Sequence, residues 1–265
     1  MPSENLFQVR DLTVSYNAAA FPALDGVSFD LACGEAVGLL GESGSGKSSL
    51  AMALVRLLPP GGHIAGGSIR FRGRELLEIG ERELEEIRGS EISVIFQEPA
   101  LALNPVMRVG QQVAEVIRAH RPWSWRRCRE EAGSVLAEVG LGDTGRIYSA
   151  YPCQLSGGQR QRVVIAQGVA CRPALLIADE PTAALDTTAQ AEILDLLRML
   201  KDRRKMALLF ISHNPAVLAR LADRILVLQA GRVIEEGTVT EVCRHSRHLY
   251  TQALLRPIPS RKGPG

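Results

Sequence analysis

A run of eight residues in the first fifth of the chain has the composition of a loop that binds phosphate. Its glycines allow successive backbone N–H groups to point at one anion, and a helix that follows would add unpaired N–H groups and partial positive charge. Lys47 would reach the β- and γ-phosphates of a nucleotide, and the Ser48 hydroxyl would bind Mg²⁺. The loop consists of Gly41, Glu42, Ser43, Gly44, Ser45, Gly46, Lys47 and Ser48, and Ser49 follows it. The alternative is a plain glycine-rich turn, but a chance match is rare, and the pattern predicts a bound nucleoside triphosphate.

Two carboxylates follow a second apolar run. Leu175 to Ala178 has the pattern of a buried strand, and Asp179 and Glu180 come at its end. In a doubly wound sheet this end lies beside the phosphate loop, so Asp179 could hold Mg²⁺ and Glu180 could hold a water in line with the γ-phosphate. Solvated acids that cap a strand are the alternative, and the apolar run before them favours the catalytic interpretation.

A histidine and a second glycine-rich turn complete the candidate chemistry. His213 follows the apolar run Met206 to Ile211, where it could sense the γ-phosphate, although a lone histidine is usually structural. The second turn precedes an apolar helix and would present unpaired N–H groups to an anion, as the first loop does. Since the first loop already cradles the nucleotide, a second phosphate-facing helix from the same chain has little room there. This turn consists of Leu155, Ser156, Gly157, Gly158 and Gln159.

The elements that would position these residues alternate between strands and helices, which predicts an α/β fold with a mainly parallel sheet. Leu6 to Tyr16 and Leu24 to Leu31 alternate in hydrophobicity and predict an antiparallel β-unit, the first strand with a bend. Ala36 to Leu40 predicts the strand that enters the phosphate loop, and Ser49 to Leu58 predicts the helix that leaves it. Further strands are predicted at Gly67 to Phe71 and Glu91 to Phe96, and further helices at Glu81 to Arg88 and from Asp186 or Thr187 to Leu200. Ile225 to Gln229 and Arg232 to Glu236 predict a hairpin. One short helix over His245 to Leu255 and a frayed end from Pro257 to Gly265 complete the predictions.

The pattern becomes helical from Val109 to about Leu141, which predicts a helical insert from Ala100 to Pro152. Its middle, Arg118 to Arg129, carries five arginines together with Trp123 and Trp125. Such a mixture can bind nucleic acid or face lipid. We favour a solvated elbow between two helices with two packed indoles, because the basic cluster is local and the net charge is only +2.

Length and composition are those of a globular chain. The 265 residues, 46% hydrophobic and 23% charged, suffice for one large domain or two modest ones. No apolar run approaches the roughly 18 residues of a membrane span, and the first residues do not form a signal peptide. Five scattered cysteines suit free thiols in a reducing cytosol better than disulfides or a zinc site. We therefore expect a soluble, cytoplasmic protein.

The phosphate loop, the Leu155 to Gln159 turn, the Leu175 to Glu180 strand and His213, in this order, resemble an ABC ATPase over nearly the whole chain. The resemblance implies one ATPase domain over residues 1–265. It would comprise a core with a β-subdomain (1–99 and 153–245), a helical subdomain (100–152), and a short C-terminal helix and tail (246–265). ATP and Mg²⁺ would be its cofactors.

The resemblance also implies residue roles. Tyr16 would stack on adenine, although a tyrosine at a strand end is as often plain packing. Gln97 would join both the catalytic set and the metal ligands, with Ser48 and Asp179 as the other ligands. Glu180 would be the general base, His213 the γ-phosphate contact and Asp186 part of the D-loop. Two such domains would pair head to tail, so that each ATP lies between one phosphate loop and the partner's Ser-Gly-Gly helix.

Partners follow from the same resemblance. We expect integral-membrane permease subunits, a second ATPase subunit that is identical or different, and a periplasmic or extracytoplasmic solute-binding protein. The chain would sit peripherally on the cytoplasmic face of the cell membrane, where the Gln97 loop and the helical insert would dock a short permease helix. An ABC-type ATPase acting on nucleic acid or ribosomes is the alternative. One cassette without sustained heptads disfavours it, so we expect no nucleic-acid partner.

Finer features resemble the oligopeptide, dipeptide and nickel importer branch, among them Leu103-Asn104-Pro105 and His248 to Leu255. Glu98 and Asn214 stand where Asp is common, and Ala184 stands where Ser or Thr is common. None of these departures removes a phosphate, metal or base ligand, so a competent site is expected. The chain stops without the cysteine-bearing extension of many peptide-branch relatives, which weakens an oligopeptide assignment and leaves a nickel subunit open.

Overall fold

The computed structural model describes residues 5–17, 19–97 and 102–255. Glu98, Ala100 and the predicted frayed end from Pro257 to Gly265 lie outside these ranges. The strands are β1 (Asn5–Tyr16), β2 (Leu24–Ala32), β3 (Ala36–Leu40), β4 (Gly62–Phe71), β5 (Arg74–Glu75), β6 (Ile92–Ile95), β7 (Leu175–Asp179), β8 (Ala207–Ser212), β9 (Arg224–Gln229) and β10 (Arg232–Thr238). The helices are α1 (Lys47–Leu54), α2 (Glu81–Ile87), α3 (Val109–His120), α4 (Trp125–Glu138), α5 (Thr144–Ser149), α6 (Gly157–Val169), α7 (Thr187–Arg204), α8 (Pro215–Leu221), α9 (Val239–His245) and α10 (Leu249–Leu255), and one turn of 3₁₀ helix covers Pro152–Gln154.

Two sheets build the fold. The antiparallel sheet has the strand order β2-β1-β4-β5, and the larger sheet has the order β10-β9-β3-β8-β7-β6. In the larger sheet β9, β3, β8, β7 and β6 are parallel neighbours, and β10 pairs with β9 as an antiparallel hairpin. The predicted α/β class with a mainly parallel sheet and an N-terminal antiparallel unit is therefore confirmed.

The larger sheet is covered on both faces, which explains why β3 is buried along its whole length. Ala36 and Leu40 belong to the core shared with α6, α7, α8 and the helical insert. Val37 and Leu39 point the other way, into the core shared with α1 and the antiparallel sheet. A parallel strand between two apolar layers reads as an unbroken hydrophobic run, as it does here.

The predicted bend in β1 is a β-bulge. The register with β2 shifts between Val9 and Leu12, and Asp11 adopts a left-handed φ of 47°. Its backbone N–H donates to the Ser28 hydroxyl at 2.8 Å, which satisfies a group that leaves the ladder.

Helix α1 and strand β4 differ from their predicted bounds. Helix α1 begins at Lys47, inside the phosphate loop, and ends at Leu54, four residues before the prediction. Arg56 adopts a left-handed φ of 54°, which a right-handed helix cannot continue. Strand β4 begins at Gly62, because Gly62 pairs with Tyr16 and extends the antiparallel sheet.

The C-terminal region forms two helices where one was predicted. The chain is extended at Ser246, between α9 and α10 (φ −54°, ψ 134°). The Glu235 carboxylate accepts hydrogen bonds there from the backbone N–H groups of Arg247 (2.7 Å) and His248 (3.3 Å). The break between α9 and α10 is therefore stabilised by a carboxylate twelve residues earlier in the sequence, and no local sequence pattern predicts it.

The helical segment divides into α3, α4 and α5, and the last of these was not predicted. Trp123 packs against the core, and the Arg127 guanidinium lies 3.9 Å from its ring centroid. Trp125 is 45% exposed, so only one of the two indoles is packed as expected. None of the helices within the described ranges is long and apolar enough to cross a membrane. All five cysteines are free thiols, as predicted.

Candidate nucleotide site

The carboxyl ends of four neighbouring parallel strands bring the predicted residues to one edge of the larger sheet. The loop Gly41 to Ser48 follows β3, His213 follows β8, Asp179 and Glu180 lie at the end of β7, and Gln97 follows β6. Because β3, β8, β7 and β6 are consecutive in the sheet, these residues converge. Residues from all four strand ends border a cavity of about 730 Å³, a size typical of ligand sites. The predicted residues that line it are Glu42, Ser43, Gly44, Gly46, Lys47, Ser48, Ser49, Gln97, Glu180 and His213.

Two loop positions require glycine. A Cβ on Gly41 would lie 2.5 Å from the Leu228 carbonyl oxygen. Gly46 has a φ of 106° and precedes α1, and a Cβ there would lie 2.6 Å from the Ala23 carbonyl oxygen. The close packing of the loop against neighbouring backbone therefore depends on the missing side chains.

Lys47 is held inside the loop. Its Nζ donates to the carbonyl oxygens of Gly41 (2.8 Å) and Glu42 (2.7 Å), and its residue is 6% exposed. Burial lowers the pKa of Lys47, while the nearby carboxylates of Glu180, Asp179 and Glu42 oppose that effect. The site thus combines a buried cation with acidic groups at the end of β7, two strands away from β3 in the sheet.

Asp179 is a buried carboxylate beside the loop. Its pKa is raised, mainly by burial and further by the negative charge of Glu180. The hydrogen bond from the Ser48 hydroxyl and the charge of Lys47 act in the opposite direction and are outweighed. Carboxylate, hydroxyl and amide oxygens are ligands that Mg²⁺ accepts. The donor set of Ser48, Asp179 and Gln97 therefore fits the ion.

Glu180 and His213 are in direct contact across the ends of β7 and β8. The Glu180 Oε2 atom lies 3.0 Å from His213 Nδ1, and the Glu180 side chain is 15% exposed. The backbone of Glu180 adopts a left-handed φ of 46°, and its N–H donates to the Ile211 carbonyl oxygen at 3.0 Å. The turn after β7 thereby aims the carboxylate at the cavity.

The second glycine-rich turn lies away from this cavity. Ser156 caps α6: its hydroxyl accepts from the Gln159 N–H (3.3 Å), and its own N–H donates to Gln159 Oε1 (3.0 Å). Leu155 is buried, whereas Ser156 and Gly157 are exposed. This chain therefore presents the Ser-Gly-Gly helix start on its surface and not to its own phosphate loop.

Tyr16 contacts a residue of the site and Asp186 lies beside α6, and neither lines the cavity. The Tyr16 hydroxyl lies 3.2 Å from Ser49 Oγ, at the start of α1. Asp186 caps α7 by accepting from the Ala189 N–H at 2.9 Å. The cap places Asp186 beside α6, because a Cβ on Gly158 would lie 3.8 Å from the Ala189 Cβ.

Four residues of the cavity wall were not predicted. Ala23 and Ala183 come from loops, and Ala253 and Leu254 come from α10. Alanine and leucine carry no chemical signature, so only the three-dimensional fold could assign them to the site.

The strand order and the position of the loop place the chain among P-loop nucleotide-binding α/β proteins. A profile described as ABC transporter matches residues 24–183. An ATP-binding cassette solved as a dimer in a post-hydrolysis state with ADP and Pi superposes with a TM-score of 0.78 at 28% identity, over 88% of this chain and 98% of that one. A subunit of an ABC transporter complex from Clostridium perfringens also gives 0.78, at 27% identity, over 91% and 92% of the two chains.

Sequence relatives agree. A probable peptide ABC transporter ATP-binding protein of Sinorhizobium fredii is 44% identical over 97% of this chain and 78% of that protein. The oligopeptide transport ATP-binding protein of Bacillus subtilis is 42% identical over 98% and 74%. The glutathione import ATP-binding protein of Escherichia coli strain K12 is 43% identical over 96% of this chain, which spans 42% of that relative's length. The chain belongs to the ABC transporter family, and it is an ATP-binding cassette of that family.

Proposed function

We propose that this chain is the ATP-hydrolysing subunit of an importer for peptides. The observation that carries the proposal is the convergence of Lys47, His213, Glu180 and Gln97 around one cavity at four neighbouring strand ends. Each of these side chains has a chemical role there: a cation for phosphate, a contact for the γ-phosphate, a base and a metal ligand.

The proposed reaction is the attack of water on the γ-phosphorus of ATP, which breaks the bond to the β–γ bridging oxygen and releases ADP and phosphate. The loop N–H groups and Lys47 bind the phosphates, and the Glu180 carboxylate orients the attacking water and accepts its proton. His213 holds Glu180 through the 3.0 Å contact and faces the γ-phosphate. Ser48, Asp179 and Gln97 would hold Mg²⁺, which offsets the charge of the phosphates when it is bound.

A second ATPase subunit completes the proposed site. Ser156 and Gly157 are exposed at the start of α6, where the first N–H groups of a helix can bind an anion, and neither residue lines the chain's own cavity. A head-to-tail partner, either a second copy or a different ATPase chain, would place such a helix start against the γ-phosphate. The solved relative described as a dimer supports this arrangement.

A permease helix is the proposed occupant of an apolar groove beside Gln97. The groove has a volume of about 470 Å³, and its wall includes Leu57, Phe96, Val116 and Val164. Leu57 is 44% exposed and Phe96 38%, so the groove presents two large apolar side chains to solvent together. Gln97 directly follows Phe96, so a helix docked there would act on the strand end that carries a metal ligand.

The peptide assignment rests on the relatives, whose names include peptide, oligopeptide and glutathione transport. A nickel importer is the second candidate within the same branch. The same relatives give no support to an ATPase that acts on nucleic acid or ribosomes. As an importer subunit, the chain would bind peripherally on the cytoplasmic face of the membrane, in a complex with a solute-binding protein.

Reconstitution tests this proposal. The chain is co-expressed with candidate permease subunits and a candidate solute-binding protein from the same genome, and uptake of a labelled tripeptide or of Ni²⁺ into ATP-loaded liposomes is measured. We expect ATP-dependent tripeptide uptake. Uptake of Ni²⁺ alone would select the second candidate, and an ATPase that binds none of these membrane subunits would contradict the importer assignment.

The groove has its own test. Leu57→Glu should abolish co-purification with the permease and leave the ATP hydrolysis of the isolated chain intact. Met199→Glu, an equally apolar side chain that is 39% exposed on α7, is the matched control and should co-purify normally.

A further inference from the structure

Helix α10 reaches the phosphate loop from the far end of the chain. The Tyr250 hydroxyl accepts a hydrogen bond from the Glu42 backbone N–H at 3.1 Å. Ala253 and Leu254 lie three and four residues further on, which places them on the same face of the helix, and both line the nucleotide cavity. One short helix therefore contacts both the loop and the space that the loop encloses.

The position of α10 is fixed independently of the loop. Thr251, a residue of α10 itself, is fully buried and lies on the face of the helix that packs against the protein. The Glu235 carboxylate accepts from the N–H groups of Arg247 (2.7 Å) and His248 (3.3 Å) just before it. His248 Nδ1 accepts from the Tyr250 N–H at 3.2 Å and caps the helix start. The hairpin β9–β10 thus anchors α10, and the Tyr250 hydroxyl is presented to the loop from a rigid support.

Glu42 is the loop residue whose backbone is held from two sides. Its carbonyl oxygen accepts from Lys47 Nζ (2.7 Å) and from the Ser45 N–H (3.2 Å), and its N–H donates to Tyr250. Lys47 would give up its contact with Glu42 if its Nζ turned to the phosphates of a nucleotide. The Tyr250 contact uses the Glu42 N–H, so a phosphate would be bound by the N–H groups that follow Glu42 in the loop, and the contact can persist.

We propose that Tyr250 is a positioning residue for the phosphate loop and that Ala253 and Leu254 form an apolar wall of the nucleotide site. Tyr250 fixes the Glu42 peptide so that the following N–H groups keep the curvature that a phosphate requires. The proposal rests on the proposed ATP site and adds the C-terminal helix to it.

Tyr250→Phe tests the positioning role, because it removes the hydroxyl and keeps the ring. Loss of one hydrogen bond should raise the Kd for Mg·ADP and the KM for ATP about 2- to 10-fold. The kcat should stay unchanged, since the loop binds ground state and transition state alike. Tyr148→Phe, which removes a tyrosine hydroxyl from the helical insert, is the matched control and should bind Mg·ADP like the wild type. An unchanged or tighter Kd in Tyr250→Phe would overturn the positioning role, and a tighter one would indicate an inhibitory contact instead.

Ala253→Phe tests the wall. The larger side chain should protrude into the cavity and raise the Kd for Mg·ADP about fivefold or more. Ala137→Phe, at an exposed position of α4, controls for the added ring, and thermal unfolding confirms that each variant folds. Wild-type affinity in Ala253→Phe would overturn the wall. Failure of the wild-type chain to bind Mg·ADP would contradict the proposed function. Normal binding by the wild type, with the same Kd in Tyr250→Phe and Ala253→Phe, would contradict only the role of α10.

Discussion

Glu180 Oε2 lies 3.0 Å from His213 Nδ1, and this contact joins the ends of β7 and β8 at the nucleotide cavity. Glu180 also carries a left-handed φ of 46°, although it has a long side chain. Such a conformation costs about 1–3 kcal/mol and is retained where it serves a site. Here the left-handed backbone of Glu180 turns its carboxylate away from the strand direction and towards His213. A general base requires such a fixed orientation.

We predict that Glu180→Gln abolishes turnover and retains ATP binding. The amide keeps the size of the side chain and cannot accept the proton of the attacking water, so kcat should fall by about 10²- to 10⁴-fold. Without hydrolysis, the ATP-bound dimer should accumulate, which size-exclusion chromatography with Mg·ATP would detect. Glu192→Gln, an exposed acid of α7 outside the cavity, should hydrolyse normally. Steady-state hydrolysis near the wild-type rate in Glu180→Gln would remove this residue from the base role.

A second prediction concerns Ser156→Arg. The large cation at the start of α6 should prevent a partner from closing on the γ-phosphate, and hydrolysis should be lost. Binding of ATP to the isolated chain should be nearly intact, because Ser156 lies outside its own cavity. Calorimetric titration of the monomer separates the two effects.

The control for this variant is Ser134→Arg, at an exposed site on α4. Loss of the Ser156 cap costs about 1 kcal/mol of stability, so the unfolding temperature must be checked first. A large fall in the ATP affinity of the monomeric Ser156→Arg variant would argue against a site completed by a partner.

The clustering of the candidate site residues was largely predictable, because each residue type and its place after an apolar run can be recognised in the local sequence. The loop that holds Lys47 begins directly after an apolar strand, Asp179 ends one and His213 follows one, and parallel strands bring their carboxyl ends to one edge. The contact between Glu42 and Tyr250 was not predictable, since 208 residues separate the pair and no periodic pattern links them. Fold class follows from local patterns, whereas the contribution of α10 depends on how the whole chain packs.

The ends of helices also depend partly on features that the local sequence does not show. The predicted helix after the loop ran to Leu58, but the left-handed φ of Arg56 stops it. Arginine is a good helix former, so propensity alone could not indicate this stop. Similarly, α9 and α10 are separated where the N–H groups of Arg247 and His248 donate to the Glu235 carboxylate, which the β9–β10 hairpin positions.

The ion pair between Glu138 and Arg204 should make stability depend on pH. It joins α4 to α7, and the two side chains are only 18% and 10% exposed. Burial alone would raise the pKa of Glu138, but the hydrogen bonds and charge of Arg204 outweigh it and lower the pKa. A lowered pKa contributes stability above the ordinary glutamate value, and that contribution is lost as the pH falls through the lowered value.

Glu138→Gln should therefore reduce the free energy of unfolding by about 1–2 kcal/mol at pH 7, measured with urea. The difference from the wild type should shrink once the pH falls below about 4.3, the ordinary pKa of glutamate. Glu130→Gln is the control: Glu130 is 65% exposed and 3.8 Å from Arg126, so its loss should cost less than about 0.5 kcal/mol. Equal effects of the two variants would contradict a buried link between α4 and α7.

Two glycines of the helical insert should respond to alanine with opposite signs. A Cβ on Gly110, in the first turn of α3, would lie 2.2 Å from ring atoms of Tyr148 in α5. A packed ring cannot yield by that much without moving its helix, so Gly110→Ala should lower the free energy of unfolding by about 1–3 kcal/mol. A Cβ on Gly133, in the interior of α4, meets open space, so Gly133→Ala should stabilise the protein by about 0.5–1 kcal/mol. Urea unfolding of both variants measures the difference, and a stabilising Gly110→Ala would show that α3 does not pack on Tyr148.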